Sequence, residues 1–201
     1  MSRRGMTLIE LMVGLTITGT VLAAGYGALA SLVDHRAAAD ARTDALARSA
    51  AERRTLLDWL EGARLTVDQD GPQFRGLDGT AGAEPDDELT FLTTAATPLG
   101  AAESVVRLYV DRDTLTPERG LTAELWTWRS LLRSRVELEP RVTGLELRYA
   151  TRMLGRSEWL PSWISSTVLP AGVEITLDAA QGDTLPALLQ LPIVAPIGSG
   201  Q

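Results

Sequence analysis

The apolar and polar positions divide the chain into three stretches of different texture. From Leu11 to Val33 there is no charged residue in the run LMVGLTITGTVLAAGYGALASLV. A helix of that length crosses a hydrocarbon core of about 30 Å. Ahead of it stand Arg3 and Arg4 and, directly at its edge, Glu10. No polar segment with an A-x-A site follows, so the pattern is not that of a cleaved secretory signal. The text instead becomes alanine-rich and charged, with no Gly or Pro between Ala28 and Glu61. Good helix formers dominate there, and the spacing predicts one helix from about Thr7 to Leu60, stopped near Gly62. At 1.5 Å per residue it would be about 80 Å long. In its second half Leu46, Ala50, Leu57 and Leu60, with Leu56 close by, recur at helical spacing and predict a narrow buried face. Arg53 interrupts that face, and Trp59 is expected in the core.

After Leu65 helical periodicity fades and turn residues punctuate the chain, as in Asp70-Gly71-Pro72 and Asp78-Gly79. Alternating segments then predict strands at Glu88–Thr94, Ser104–Val110, Leu121–Thr127, Thr143–Ala150, Gly172–Leu177 and Ala187–Val194. The fold class that follows is α+β: a long N-terminal helix, membrane-spanning in its first half, packed on a mainly antiparallel β-sheet domain. The tail from Pro192 to Gln201 is rich in Pro and Gly and is expected to fray.

Charge narrows the partners. The 201 residues carry a net charge of −7, which argues against nucleic acid, whose phosphates require a basic face. All 19 basic residues are arginine, and cysteine is absent, so Cys-based redox and metal chemistry are excluded. Arg3 and Arg4 before the span place the N-terminus in the cytoplasm and the bulk of the chain outside. Arg36 and Arg42 on the far side are interleaved with Asp34 and Asp40, which moderates the bias.

Arg4-Gly5-Met6-Thr7-Leu8-Ile9-Glu10 resembles the signature of type IV prepilins. The resemblance implies that a prepilin peptidase cuts after Gly5 and N-methylates Met6. Glu10 then becomes the fifth residue of the mature chain, the position of the family's assembly carboxylate. Removal of the leader would leave 17 arginines against 26 acids, a balance of −9. The implied organisation is a leader at 1–5, a transmembrane and assembly half-helix at 6–33, a periplasmic half-helix at 34–62 and a periplasmic β-rich domain at 63–201. Gly14, Gly19, Gly25 and Gly27 suit close packing of helices in a membrane; the resemblance also allows local unwinding at Gly14 and Gly19.

A second resemblance lies downstream. Phe74-Arg75-Gly76, the strand ELTFLTT, the run VTGLELRYATR with its Arg148-Tyr149 pair, Trp159 and Trp163 about a proline, and Leu169–Glu174 are similar to J-type minor pseudopilins of type II secretion. Implied partners are I- and K-type minor pseudopilins, the major pseudopilin, and the peptidase as processing enzyme; the implied place is the bacterial inner membrane. A minor pilin of a type IV pilus is the alternative, and an anchored adhesin or binding module a more distant one.

Catalytic chemistry finds little footing. His35 is the single histidine, and no nucleophile elbow, H-E-x-x-H or phosphate loop is present. No cofactor is expected. Asp68 and Asp70 begin like a calcium loop, but residue 79, where an EF-hand needs Glu, is Gly. Glu84, Asp86, Asp87 and Glu88, and the pair Asp111 and Asp113, read as turn and surface charge. Trp126 and Trp128 would share one strand face; with Trp159 and Trp163 they form either an exposed patch or core.

Overall fold

The computed structural model describes residues 8–66, 71–100, 103–127, 132–153 and 156–197, with the backbone alone at 152, 153, 156 and 157. The chain divides into two compact units, at residues 1–45 and 46–201.

One helix, α1, runs from Leu8 to Glu61, in agreement with the predicted span. In the first unit every residue from Leu8 to Asp44 is exposed. The hydroxyls of Thr16, Thr18 and Thr20 donate to the carbonyls of Met12, Gly14 and Thr16 at 2.7–2.8 Å. These polar groups are therefore satisfied within the helix, as a lipid environment requires.

The second unit holds the last turns of α1 and all strands. Its largest sheet has the order β11 (Trp163–Ser165), β2 (Phe74–Leu77), β5 (Glu88–Thr93), β6 (Ser104–Asp111), β7 (Gly120–Trp126), β8 (Arg133–Glu139), and the short β1 (Ala63–Arg64) extends the β2 side of β5. A second sheet has the order β10 (Arg156–Leu160), β9 (Val142–Met153), β12 (Gly172–Ala179), β13 (Ile193–Pro196), and β3 (Thr80–Ala81) with β4 (Glu84–Pro85) makes a small ribbon. All the ladders are antiparallel. The predicted α+β fold is present, but the sheet is two sheets around one core.

The core joins Leu56, Trp59 and Leu60 of α1 to alternate residues of the strands, among them Leu89 and Phe91, Val106 and Leu108, Leu145 and Leu147, and Val173 and Ile175. The buried face of α1 differs in part from the predicted one. Ser49, Leu56, Trp59 and Leu60 are buried, whereas Leu46 is 50% exposed and Ala50 is exposed; Leu57 packs only partly. Leu60, Leu56 and Trp59 are thus buried as expected, and Ser49, not its neighbour Ala50, completes the face toward the N-terminus. The Ser49 hydroxyl bonds the Leu46 carbonyl at 3.0 Å, which makes its burial tolerable. Arg53 does not break the face but ties down the segment before β13. Its guanidinium donates to the carbonyls of Leu188, Leu191 and Pro192 at 3.0–3.1 Å. The pairing of β13 with β12, and the burial of Ile193 and Ala195, hold residues 193–196 in place where fraying was expected.

The end of α1 is closed by the sheet. The Thr93 hydroxyl donates to Trp59 O at 2.8 Å and the Trp59 indole to Ala96 O at 3.1 Å. The Gly62 amide closes the last turn on Asp58 O, and Thr94 donates back to Gly62 O, both at 3.0 Å. These bonds satisfy carbonyls that a helix end would leave open.

The predicted strands start and end within three residues of the observed ones, except the last. There, Leu189 and Gln190 donate to Pro186 O, a turn, and pairing begins only at Ile193. A bulge between Leu121 and Thr122 shifts the β7–β8 register. It places Glu139 opposite Leu121, on the inner side of the sheet, where the carboxylate is 4% exposed. Gly120 beside it has φ +67°, and a Cβ there would lie 2.4 Å from Glu139 O, so the corner requires glycine.

Candidate functional site

At the N-terminal end, Gly5 and Met6 lie outside the described residues. Glu10 stands in the first turn of α1, where the helix dipole favours a carboxylate. It is exposed, as are Leu8 and Ile9 beside it. The helix carries an 18-residue window of mean hydropathy 1.7, long and apolar enough to cross a membrane. Gly14, Gly19, Gly25 and Gly27 have open space where a Cβ would stand. His35 is exposed on the same helix.

Most of the acidic candidates in the folded unit are occupied by structural tasks, and Asp87 and Asp111 are buried charges, not surface ones. Glu84 instead keeps one buried carboxylate oxygen without a hydrogen-bond partner among the described residues. Asp86 pairs with Arg112, and Glu88 with Arg107 at 2.6 Å. Asp87 accepts from the amides of Gly79 and Leu147 at 2.9 and 2.7 Å. Asp111 caps the amide of Asp113, and Asp113 that of Leu115, both at 2.9 Å. Among the described residues no group of His, Asp or Glu is arranged to hold a metal. Asp68 and Asp70 lie outside those residues.

The motifs behind the second resemblance converge. The Phe74 ring meets Tyr149 edge to face, with centroids 6.3 Å apart, and Phe91 at 6.0 Å. A Cβ on Gly76 would sit 2.0 Å from the Tyr149 hydroxyl oxygen, so the glycine makes room for the tyrosine. Val173 pairs with Tyr149 and Glu174 with Arg148 across β12 and β9, and Glu174 and Arg148 approach to 3.7 Å. Three separated sequence segments thus build one piece of core. The Tyr149 hydroxyl is buried without a protein hydrogen-bond partner; burial, with the nearby Asp87 charge, pushes its pKa up.

The tryptophans do not gather. Trp59 is core, as expected. Trp126 lies half-buried under Arg133, 5.6 Å from the ring centroid, and Trp163 donates to Val168 O at 3.1 Å. Their strands, β7 and β11, are four positions apart in the sheet, about 19 Å at the usual strand spacing. Trp128 lies outside the described residues. Trp159 instead lines a cavity of about 370 Å³ with Asp78, Asp87, Glu146 and Arg148, which sequence periodicity gave no means of finding.

The carboxyl pair of half-buried Glu52 and buried Glu139 was also hidden from the sequence. Arg141 grips both oxygens of Glu139, at 2.8 and 3.0 Å. Burial alone would raise the Glu139 pKa, but this grip outweighs it and holds the group below its ordinary value. Glu52 on α1 is pushed upward, first by burial and then by the Glu139 charge, and one of its oxygens has no hydrogen-bond partner.

Comparison with known proteins bears on both ends of this geometry. The prokaryotic N-terminal methylation motif matches residues 1–26. The fold matches that of a chain in a solved complex. That chain belongs to the GspK–GspI–GspJ complex of the type 2 secretion system of enterotoxigenic Escherichia coli, with a TM-score of 0.52 and 17% identity. The match covers 78% of this chain and 99% of that one. No curated protein matches the sequence significantly. The chain therefore carries a prepilin-type methylation motif on a pilin-like α+β fold.

Proposed function

We propose that this chain is a minor pseudopilin of a type II secretion system, of the J type, and acts as a structural subunit, not an enzyme. The observation that carries the reading is the joining of a methylation motif at residues 1–26 to a fold shared with a chain of a type 2 secretion complex. In this reading residues 1–5 are a leader removed after Gly5, Met6 is the N-methylated first residue, and residues 6–33 anchor and assemble the subunit in the inner membrane. Residues 34–62 and the β-rich domain at 63–201 stand in the periplasm. The partners are the I- and K-type minor pseudopilins at the pseudopilus tip and the major pseudopilin. No cofactor takes part.

Processing provides the test. In a host with an active prepilin peptidase, intact-mass measurement should find a chain that has lost five residues and begins with methylated Met6. Gly5→Val should retain the full-length form in the membrane. An unprocessed wild-type N-terminus, or a cut after residue 28, would remove the basis of the proposal.

A further inference from the structure

Strand β9 changes partner along its length. β10 pairs with it from Met153 to Tyr149 and ends at Leu160. Beyond that point residues 86 and 87 take over. The Asp87 amide donates to Leu145 O at 3.0 Å, and the Leu147 amide donates to the Asp87 carboxylate at 2.7 Å. The cavity of about 370 Å³ borders both partners, with Trp159 from β10, Asp87 from the replacement segment, and Glu146 from β9 between them. Ligand pockets begin near about 300 Å³, so the space suits one side chain or a small molecule.

Its lining is acidic on one aromatic wall. Asp78 and Glu146 are exposed at the rim, and Asp87 is only 4% exposed. Burial pushes the Asp87 carboxyl above its ordinary value against the pull of its two amide bonds, and the charges of Asp78 and Glu146 push it further. Among the described residues the one cation lining the cavity is Arg148, which stands 3.7 Å from Glu174, and that carboxylate offsets its charge. Among the described residues no ion pair forms at Asp78, Asp87 or Glu146. A cation entering the cavity would relieve three carboxylates at once. Of the biological cations, a guanidinium fits best: it stacks flat on an indole and presents a fork of donors to carboxylates, where an ammonium is a point charge.

We propose that this cavity receives the arginine side chain of a partner protein, stacked on Trp159 and forked toward Asp78 and Glu146 above the buried Asp87. The inference is independent of the secretion reading, because it concerns a pocket of the folded unit and a side-chain chemistry.

The test uses the full-length protein in detergent micelles, with ¹⁵N-labelled indoles followed by NMR. N-acetyl-arginine N-methylamide is titrated in, beside its lysine and citrulline counterparts. The Trp159 resonance, identified by its loss in Trp159→Phe, should shift saturably with the arginine compound at a Kd in the millimolar range. The lysine compound should bind several-fold more weakly, and the uncharged citrulline compound should leave the signal in place. Asp78→Asn combined with Glu146→Gln, both at exposed positions, should keep the fold and weaken arginine binding by roughly tenfold. Absence of a saturable shift up to about 50 mM, far above millimolar affinity, would overturn the proposal. So would an equal response to citrulline or lysine, or unchanged binding in the folded double variant.

Discussion

Tyr149 buries a hydroxyl that no protein group meets, against a glycine that leaves it room. Two opposite substitutions follow. Tyr149→Phe removes a desolvated polar atom and keeps the ring, so it should raise stability by about 1 kcal/mol in chemical denaturation. Gly76→Ala forces a methyl into the same space and should lower stability by about 1–3 kcal/mol, the usual range for overpacking. Glu52 and Glu139 give a pH signature. The Glu52 pKa is raised from 4.5 in the folded state, so the stability associated with it is present at low pH and is lost as the pH rises through the folded value. Glu52→Gln should therefore melt above wild type at neutral pH, and the difference should close as the pH falls below 4.5, where Glu52 is protonated in both states. Glu139 has the opposite sign: its depressed pKa gives stability above its ordinary range that is lost as acid protonates it. A melting series from pH 3 to 8 on wild type and Glu52→Gln separates the two groups. Gly76 and Tyr149 stand in motifs visible in the sequence, whereas nothing near Glu52 or Glu139 marks them; burial and long-range partners give those two their roles.

Among the elements, α1 was legible in length and boundaries, because a charge-free span followed by helix formers without Gly or Pro leaves little alternative. Its buried face was legible in part: Leu60, its neighbour Leu56 and Trp59 are buried as expected, whereas Leu46 and Ala50 are exposed and Ser49 is buried instead. Two substitutions separate the faces. Leu60→Asp puts a charge into the core and should cost about 3 kcal/mol or more, whereas Leu46→Asp at a half-exposed site should stay within about 0.5 kcal/mol. Equal losses in thermal unfolding followed by circular dichroism would contradict the observed packing. The strands with alternating apolar residues were readable, as at β5, β6 and β12. Strand β8 was not, because RSRVELE turns Arg133, Arg135 and Glu137 outward and offers little apolar signal. Such charge suits an edge strand. Nor does alternation reveal which strands share a sheet, so the division into two sheets lay beyond it. Of the candidate site, the methylation motif was fully visible because it is local; the Trp159 cavity was not, because β10, β9 and the segment before β5 meet there only after folding.

For the whole molecule, the proposed role makes Glu10 a residue of assembly and not of folding or insertion. A carboxylate at the edge of lipid is costly unless a cation offsets it, and cleavage would create an α-amine at Met6, four residues before Glu10 in the sequence, in this subunit and in each neighbouring one. Full-length Glu10→Leu should be inserted and cleaved normally, yet fail to co-purify with partner pseudopilins and lower secretion. Wild-type assembly and secretion by that variant would exclude the role. The ion pairs of the folded unit have one more consequence. Each of its cations, from the Arg107 that bridges Glu88 and Glu124 to the Arg141 that grips Glu139, is a guanidinium, and the 201 residues contain no lysine. Reagents that acylate primary amines thus find one target, the α-nitrogen of whichever residue stands first. Cleavage would move that nitrogen to Met6, methylation would make it secondary, and pairing with Glu10 would shield it. Labelling of a single atom then becomes a readout of maturation and docking, with no tag and no substitution needed.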